Sequence, residues 1–186
     1  MTMASLPPGL PADAAVQRYA IRAYRLPAKV FHWLTVALVT VMVTSAVIAK
    51  QLNDGPWSDT LFVVHKTTGV ITLSVVLLRL CYRIVQWWTT PQPATRPSRT
   101  ALHWSLYAIV ILVPLVGWAG ISDFGSREIF PGLTLPAIWP EHAGYSDFLF
   151  TLHAYLAFGL LALVAVHIGV ATQDYMMRAD DLEPRD

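Results

Sequence analysis

Four long apolar stretches constrain this chain more than any other feature of its sequence. Each is close to the roughly 20 residues that a helix needs to cross the hydrocarbon core of a bilayer. Three carry no charged residue, and the second carries only Lys66 and Arg79, near its ends, where long cationic side chains can reach the interface. The sequence therefore predicts an all-α membrane protein, a four-transmembrane-helix bundle with spans at about 30–49, 61–82, 101–122 and 148–173.

Composition supports a membrane protein and excludes several other classes. Charged residues make up 13% of the chain, whereas a soluble domain has about a quarter. The formal net charge of +1 is too small to predict nucleic-acid binding. Cys81 is the only cysteine and there is no C-x-x-C-H motif. Neither an internal disulfide nor covalent haem attachment is therefore expected.

The distribution of Lys and Arg predicts the orientation. Ten of the 13 lie in the N-terminal segment, around the connection between spans two and three, and in the C-terminal tail. The positive-inside rule therefore places both termini in the cytoplasm of a bacterial inner membrane protein. We expect an N-terminal segment at 1–27, a membrane domain at 28–173 and a cytoplasmic tail at 174–186, with a Pro-rich linker from Pro91 to Pro97.

Four of the six histidines occupy matched depths in this arrangement. His32 lies near the cytoplasmic end of span one, and His65 near the outer end of span two. Span four carries His153 near its outer end and His167 near its inner end, roughly 21 Å apart at about 1.5 Å per residue. Fourteen residues are also close to whole helical turns, so both imidazoles lie on one face.

Two imidazoles directed at each other from neighbouring helices are the axial ligands that a b-type haem requires. The depths therefore predict two haem b groups, one between His65 and His153 and the other between His32 and His167. His103, at the cytoplasmic start of span three, could replace His32 as a ligand. Otherwise it lines a quinone site beside the inner haem, with Arg99 nearby, or forms an ordinary hydrogen bond at the membrane interface. We interpret His142, in the outer loop, as solvated.

Four ordered phrases then show a resemblance to a known family. Span one opens Phe31-His32-Trp33-Leu34, and span two runs from His65-Lys66-Thr67-Thr68-Gly69 to Leu78-Arg79-Leu80-Cys81-Tyr82-Arg83. Span three reads His103-Trp104-Ser105-Leu106-Tyr107 and then Pro114-Leu115-Val116-Gly117-Trp118, and span four begins Leu152-His153-Ala154. In this order and spacing, the chain resembles the prokaryotic cytochrome b561 family and its relatives among the di-haem subunits of hydrogenases and formate dehydrogenases.

The resemblance implies a di-haem membrane cytochrome with His32, His65, His153 and His167 as axial ligands. Members of the family exchange electrons with ubiquinone, and one branch oxidises superoxide at the outer face. Superoxide is an anion, and the predicted outer side carries three cations against six acidic residues. Steering of this donor would therefore require the cations to cluster over the outer haem, with Lys66 as the best candidate.

Two other functions compete with transmembrane electron transfer to quinone. One is a haem-carrying anchor subunit that docks a periplasmic dehydrogenase or hydrogenase, although an outer loop of about 25 residues offers it little surface. The other is a haem-free proton-coupled transporter, since intramembrane histidines also form proton relays. No Asp or Glu lies inside any predicted span, which disfavours the transporter.

Overall fold

Four helices make up most of this computed structural model. It describes the backbone at residues 12–89, 97–130 and 132–180, and the side chains at 28–89, 100–130 and 132–177. The helices are α1 (Ala12–Gln51), α2 (Pro56–Thr89), α3 (Pro97–Phe124) and α4 (Ser146–Asp180). Each contains a segment long and apolar enough to cross a membrane. The predicted fold class, a bundle of four membrane-spanning helices, is confirmed.

The helices extend beyond the predicted spans at both ends. Pro56 begins α2. Proline suits this position because the backbone N–H that it lacks would have no acceptor within the helix. Gly125 follows α3 with a φ of 82°, a conformation that ends helices and suits glycine. Helix α3 continues through Pro114. Helix α1 already begins at Ala12, inside the predicted N-terminal segment, and most of the predicted linker lies outside the described residues.

The four helices pack as two hairpins. Helix α1 packs along α2 and α3 packs along α4, while a smaller contact joins α2 to α3. Within the described chain, no Cα atom of α4 lies within 8 Å of a Cα atom of α1 or α2. Only 6% of the apolar segment of α4 is buried by the rest of the fold. A gap therefore separates α4 from the first helical hairpin.

The connection between α3 and α4 folds into a small cap that the sequence did not predict. Strands β1 (Glu128–Phe130) and β2 (Leu133–Thr134) pair antiparallel. Ile129 of β1 is buried against α2, and Thr67 of α2 donates a hydrogen bond to its carbonyl oxygen. The end of the bundle under this cap is called the hairpin end below. The opposite end, where α1 begins and α4 ends, is called the terminal end.

Candidate functional site

Two histidines face each other across the gap at the hairpin end. His65 lies on α2 and His153 on α4, and both are half-buried. Their ring centroids are 5.9 Å apart, and the ring planes are nearly perpendicular, at 86°. The structure thus brings together the two histidines that the sequence analysis paired at the outer depth. They are called the hairpin-end pair.

Both imidazoles of this pair are held by backbone carbonyl groups. Nδ1 of His65 lies 2.8 Å from the carbonyl oxygen of Met42, and Nδ1 of His153 lies 2.9 Å from that of Val113. A carbonyl oxygen can only accept a hydrogen bond, so each Nδ1 carries the proton. The lone pair of each neutral ring is then on Nε2, the arrangement found in histidines that bind metal ions.

Gly117 of α3 leaves the room that His153 occupies. A Cβ atom at this position would lie 2.9 Å from Nδ1 and 3.0 Å from Cε1 of the imidazole. Real Cβ atoms are almost never that close to another heavy atom, so any larger residue would displace the ring or the helix. The sequence analysis quoted Gly117 only as part of a motif and missed this contact, which depends on how α3 and α4 pack.

Three histidines meet at the terminal end. His32 of α1 and His167 of α4 have ring centroids 6.3 Å apart, and His103 of α3 lies 5.3 Å from His167. We call them the terminal-end cluster. Across the described residues, no three His, Cys, Asp or Glu side chains are arranged to bind a bare metal ion. The cluster is therefore not a three-histidine metal site.

Two open cavities adjoin this cluster. One of about 320 Å³ is lined by His32 and His167 together with Tyr175 and small or apolar residues of α4. The other, of about 230 Å³, lies between α3 and α4 and is lined by Leu102, His103, His167, Val170, Ala171 and Asp174. His103 and His167 thus border a recess that is mainly apolar and has few polar groups, as ligand sites commonly are. The side chain of Arg99 lies outside the described residues.

Arg79 of α2 also reaches the terminal-end cluster. Its Nη1 lies 3.5 Å from Nδ1 of His32, at the outer limit of hydrogen bonding. The same guanidinium lies 5.7 Å from the ring centroid of Tyr107 on α3, and Arg83 lies 5.8 Å from that ring. The sequence analysis gave Arg79 as a cation near the end of span two and as part of a motif, but did not predict its contact with His32. The spacing of Arg79 and Arg83, four residues apart, was the available signal that both face one neighbour.

The geometry of the histidines fits a flat metal-containing ring. Metal–imidazole bonds are about 2 Å long, so two imidazoles on opposite sides of one metal ion have centroids about 6 Å apart. The hairpin-end pair, at 5.9 Å, and His32 with His167, at 6.3 Å, both match this separation. Both pairs lie between α4 and the first helical hairpin, and in the described chain no Cα atoms of these two parts come within 8 Å of each other. The residues therefore fit haem.

Fold and histidines together define a membrane cytochrome of four helices. Residues 23–182 match the family model described as prokaryotic cytochrome b561. The chain therefore belongs to the prokaryotic cytochrome b561 family, a family of membrane electron-transfer proteins that bind haem b. It is a multi-pass protein of the bacterial inner membrane.

Two curated relatives are similar along most of their length. The chain is 24% identical to "Cytochrome b561 homolog 2" of Escherichia coli (strain K12), over 85% of this chain and 87% of the relative. It is also 24% identical to "Probable superoxide oxidase CybB" of Yersinia pestis, over 73% of this chain and 82% of that protein.

The cap at the hairpin end engages two of the three cations that the sequence predicts on the outer side, Lys66 and Arg127. The Lys66 ammonium donates to the carbonyl oxygen of Ser126 at 3.1 Å and to its hydroxyl at 3.3 Å. Arg127 donates to the carbonyl oxygen of Leu135 and forms an ion pair with Glu141. Lys66 therefore lies next to His65 and also holds the cap.

Proposed function

We propose that this protein binds two haem b groups and carries electrons between the two faces of the membrane. His65 and His153 hold the haem at the hairpin end, and His32 and His167 hold the haem at the terminal end. The observation that carries the proposal is the pair of imidazole separations, 5.9 and 6.3 Å, at opposite ends of the gap beside α4. Bound haem supplies a reversible one-electron carrier, and the protein sets its ligands, spacing and surroundings.

His32 rather than His103 is the proposed partner of His167. Two rings that bind one ion from opposite sides need centroids about 6 Å apart, which the His32–His167 separation of 6.3 Å provides. The rings of His103 and His167 are 5.3 Å apart, too close for that arrangement. His103 is therefore not one of the proposed axial ligands, and we assign it another role at the terminal end.

That role is binding the headgroup of ubiquinone. The cavity of about 230 Å³ beside His103 combines apolar walls with a histidine and borders His167, so a quinone there would lie next to the terminal-end haem. An imidazole N–H can donate to a quinone carbonyl oxygen. Arg99, whose side chain lies outside the described residues, is the second residue that we propose for this site.

Superoxide is a candidate electron donor at the opposite face. Similarity to a relative named as a probable superoxide oxidase supports it, as does the position of Lys66 next to His65. With Arg127 paired to Glu141, Lys50 and Lys66 are the other two cations of this face, and Lys66, next to His65, is the one to test. With superoxide as donor, Lys66→Gln should lower quinone-dependent superoxide consumption and weaken its dependence on ionic strength. Lack of consumption above background by the purified wild type would exclude this donor.

Haem content tests the assignment of ligands. Freshly purified protein should give a b-type signal in a reduced-minus-oxidised spectrum and contain two haems per chain. His65→Ala or His153→Ala should remove one haem, and His32→Ala or His167→Ala should remove the other. His142→Ala, on the exposed loop, serves as the control that keeps both. Retention of both haems by His167→Ala would contradict the pairing.

A kinetic experiment tests the role of His103 separately. His103→Ala should keep both haems, because the pairs at 5.9 and 6.3 Å remain intact. Reoxidation of the reduced protein by a ubiquinone analogue in stopped flow should slow by roughly ten-fold or more, the effect expected when about 1.4 kcal/mol of hydrogen bonding is lost. Loss of a haem would instead make His103 an axial ligand.

A further inference from the structure

Arg79 gives the two histidine pairs different electrostatic surroundings. At the hairpin end, both Nδ1 atoms face the negative ends of carbonyl dipoles, those of Met42 and Val113. At the terminal end, Nδ1 of His32 faces a guanidinium 3.5 Å away. Hydrogen bonding and charge around an axial ligand are among the means by which a protein adjusts a haem potential.

Tyr107 holds the guanidinium in this position. Its ring is 8% exposed, and it lies within 6 Å of both Arg79 and Arg83, the range of a cation–π interaction. Arg79 is itself half-buried, so its charge is screened less than that of a fully exposed side chain. A fixed, partly shielded positive charge therefore lies beside one histidine pair.

We propose that Arg79 is a positioning residue that raises the midpoint potential of the terminal-end haem above that of the hairpin-end haem. This inference rests on the proposed ligand pairs. When Nε2 of His32 binds iron, Nδ1 carries the proton, and Arg79 then acts on the ligand as a nearby charge rather than as a donor. The reduced haem has one positive charge fewer than the oxidised haem. A neighbouring cation therefore favours the reduced state.

The carbonyl groups at the hairpin end act in the opposite direction. A protonated Nδ1 that donates to a carbonyl oxygen makes the imidazole a better electron donor, which favours the oxidised state of its iron. At equilibrium, one electron shared between the two haems therefore resides at the terminal end, with that haem reduced and the hairpin-end haem oxidised. The electron would then be next to the cavity that His103 lines.

Redox titration of the purified holoprotein, followed by absorption spectroscopy, tests this inference. Arg79→Gln should lower the potential of the higher-potential component by at least a ten-fold change in its reduction equilibrium, about 59 mV for one electron. The midpoint potential of the other component should not change. Arg79→Lys, which keeps the charge, should restore most of the shift. Arg83→Gln is the matched control, because Arg83 lies on the same helix and contacts the same ring, that of Tyr107.

The outcomes separate this inference from the proposed function. Wild-type protein without two redox components would contradict the di-haem proposal itself. Two components that Arg79→Gln leaves unchanged, or shifts equally, would overturn the role of Arg79. His65→Ala, which should retain only the terminal-end haem, identifies the component. If Arg79→Gln loses that haem, the test is Tyr107→Leu, which removes the ring that holds the guanidinium. A lower midpoint potential of the same component supports the inference, and an unchanged potential overturns it.

Discussion

Gly117 shows how one missing methyl group positions a functional side chain. His153 approaches α3 so closely that its Nδ1 reaches the carbonyl oxygen of Val113, and only glycine at position 117 permits this approach. The sequence placed His153 at its depth because helical rise and rotation depend on residue number alone. It could not reveal the contact with Gly117, which depends on the register between two separate helices.

Gly117→Ala should therefore remove the haem at the hairpin end and leave the other in place. The added Cβ would meet the imidazole at about 3 Å and push Nε2 away from the metal position. Haem content per chain in purified protein measures the effect.

Gly169→Ala is the matched control. It lies two residues from His167, and a Cβ there would meet no heavy atom of the described residues within 4 Å, apart from the backbone of its own helix. Two haems in Gly117→Ala would show that His153 is not confined as proposed.

Helix α4 is the element that connects the two histidine pairs. It carries one histidine of each, fourteen residues apart on one face. That relation could be predicted from sequence because an α-helix has a fixed periodicity. The cap could not, because strands of three and two residues carry almost no hydrophobic pattern. Their positions depend on the contact of β1 with α2 and on the pairing of β2 with β1.

Insertion of one alanine after Leu161, between His153 and His167, should change the rotation of these two histidines relative to each other. It rotates the following part of the helix by about 100° and shifts it by about 1.5 Å. His167 would then turn away from His32, and one of the two haems should be lost.

Leu161→Ala is the control for this insertion, because it changes the same region without changing the helical phase. Retention of both haems and both redox components by the insertion variant would contradict ligation by His167.

At the scale of the whole molecule, the predicted orientation places the cap on the periplasmic side of the membrane and both termini in the cytoplasm. A C-terminal fusion to green fluorescent protein should therefore fluoresce, whereas a C-terminal fusion to alkaline phosphatase should be inactive. Fusions of alkaline phosphatase after Gly132, in the cap, provide the internal comparison and should be active. The reverse pattern would exchange the faces assigned to superoxide and ubiquinone.

The gap beside α4 has a consequence for how this protein persists in the cell. Helix α4 packs on α3, and the first helical hairpin meets the second mainly through α2 and α3. The two proposed haems would fill this gap, and a ligand that binds only the folded form stabilises that form. We expect chains made without enough haem to remain loosely assembled and accessible to membrane proteases. The abundance of the protein would then follow the cell's production of haem, with no dedicated regulator required.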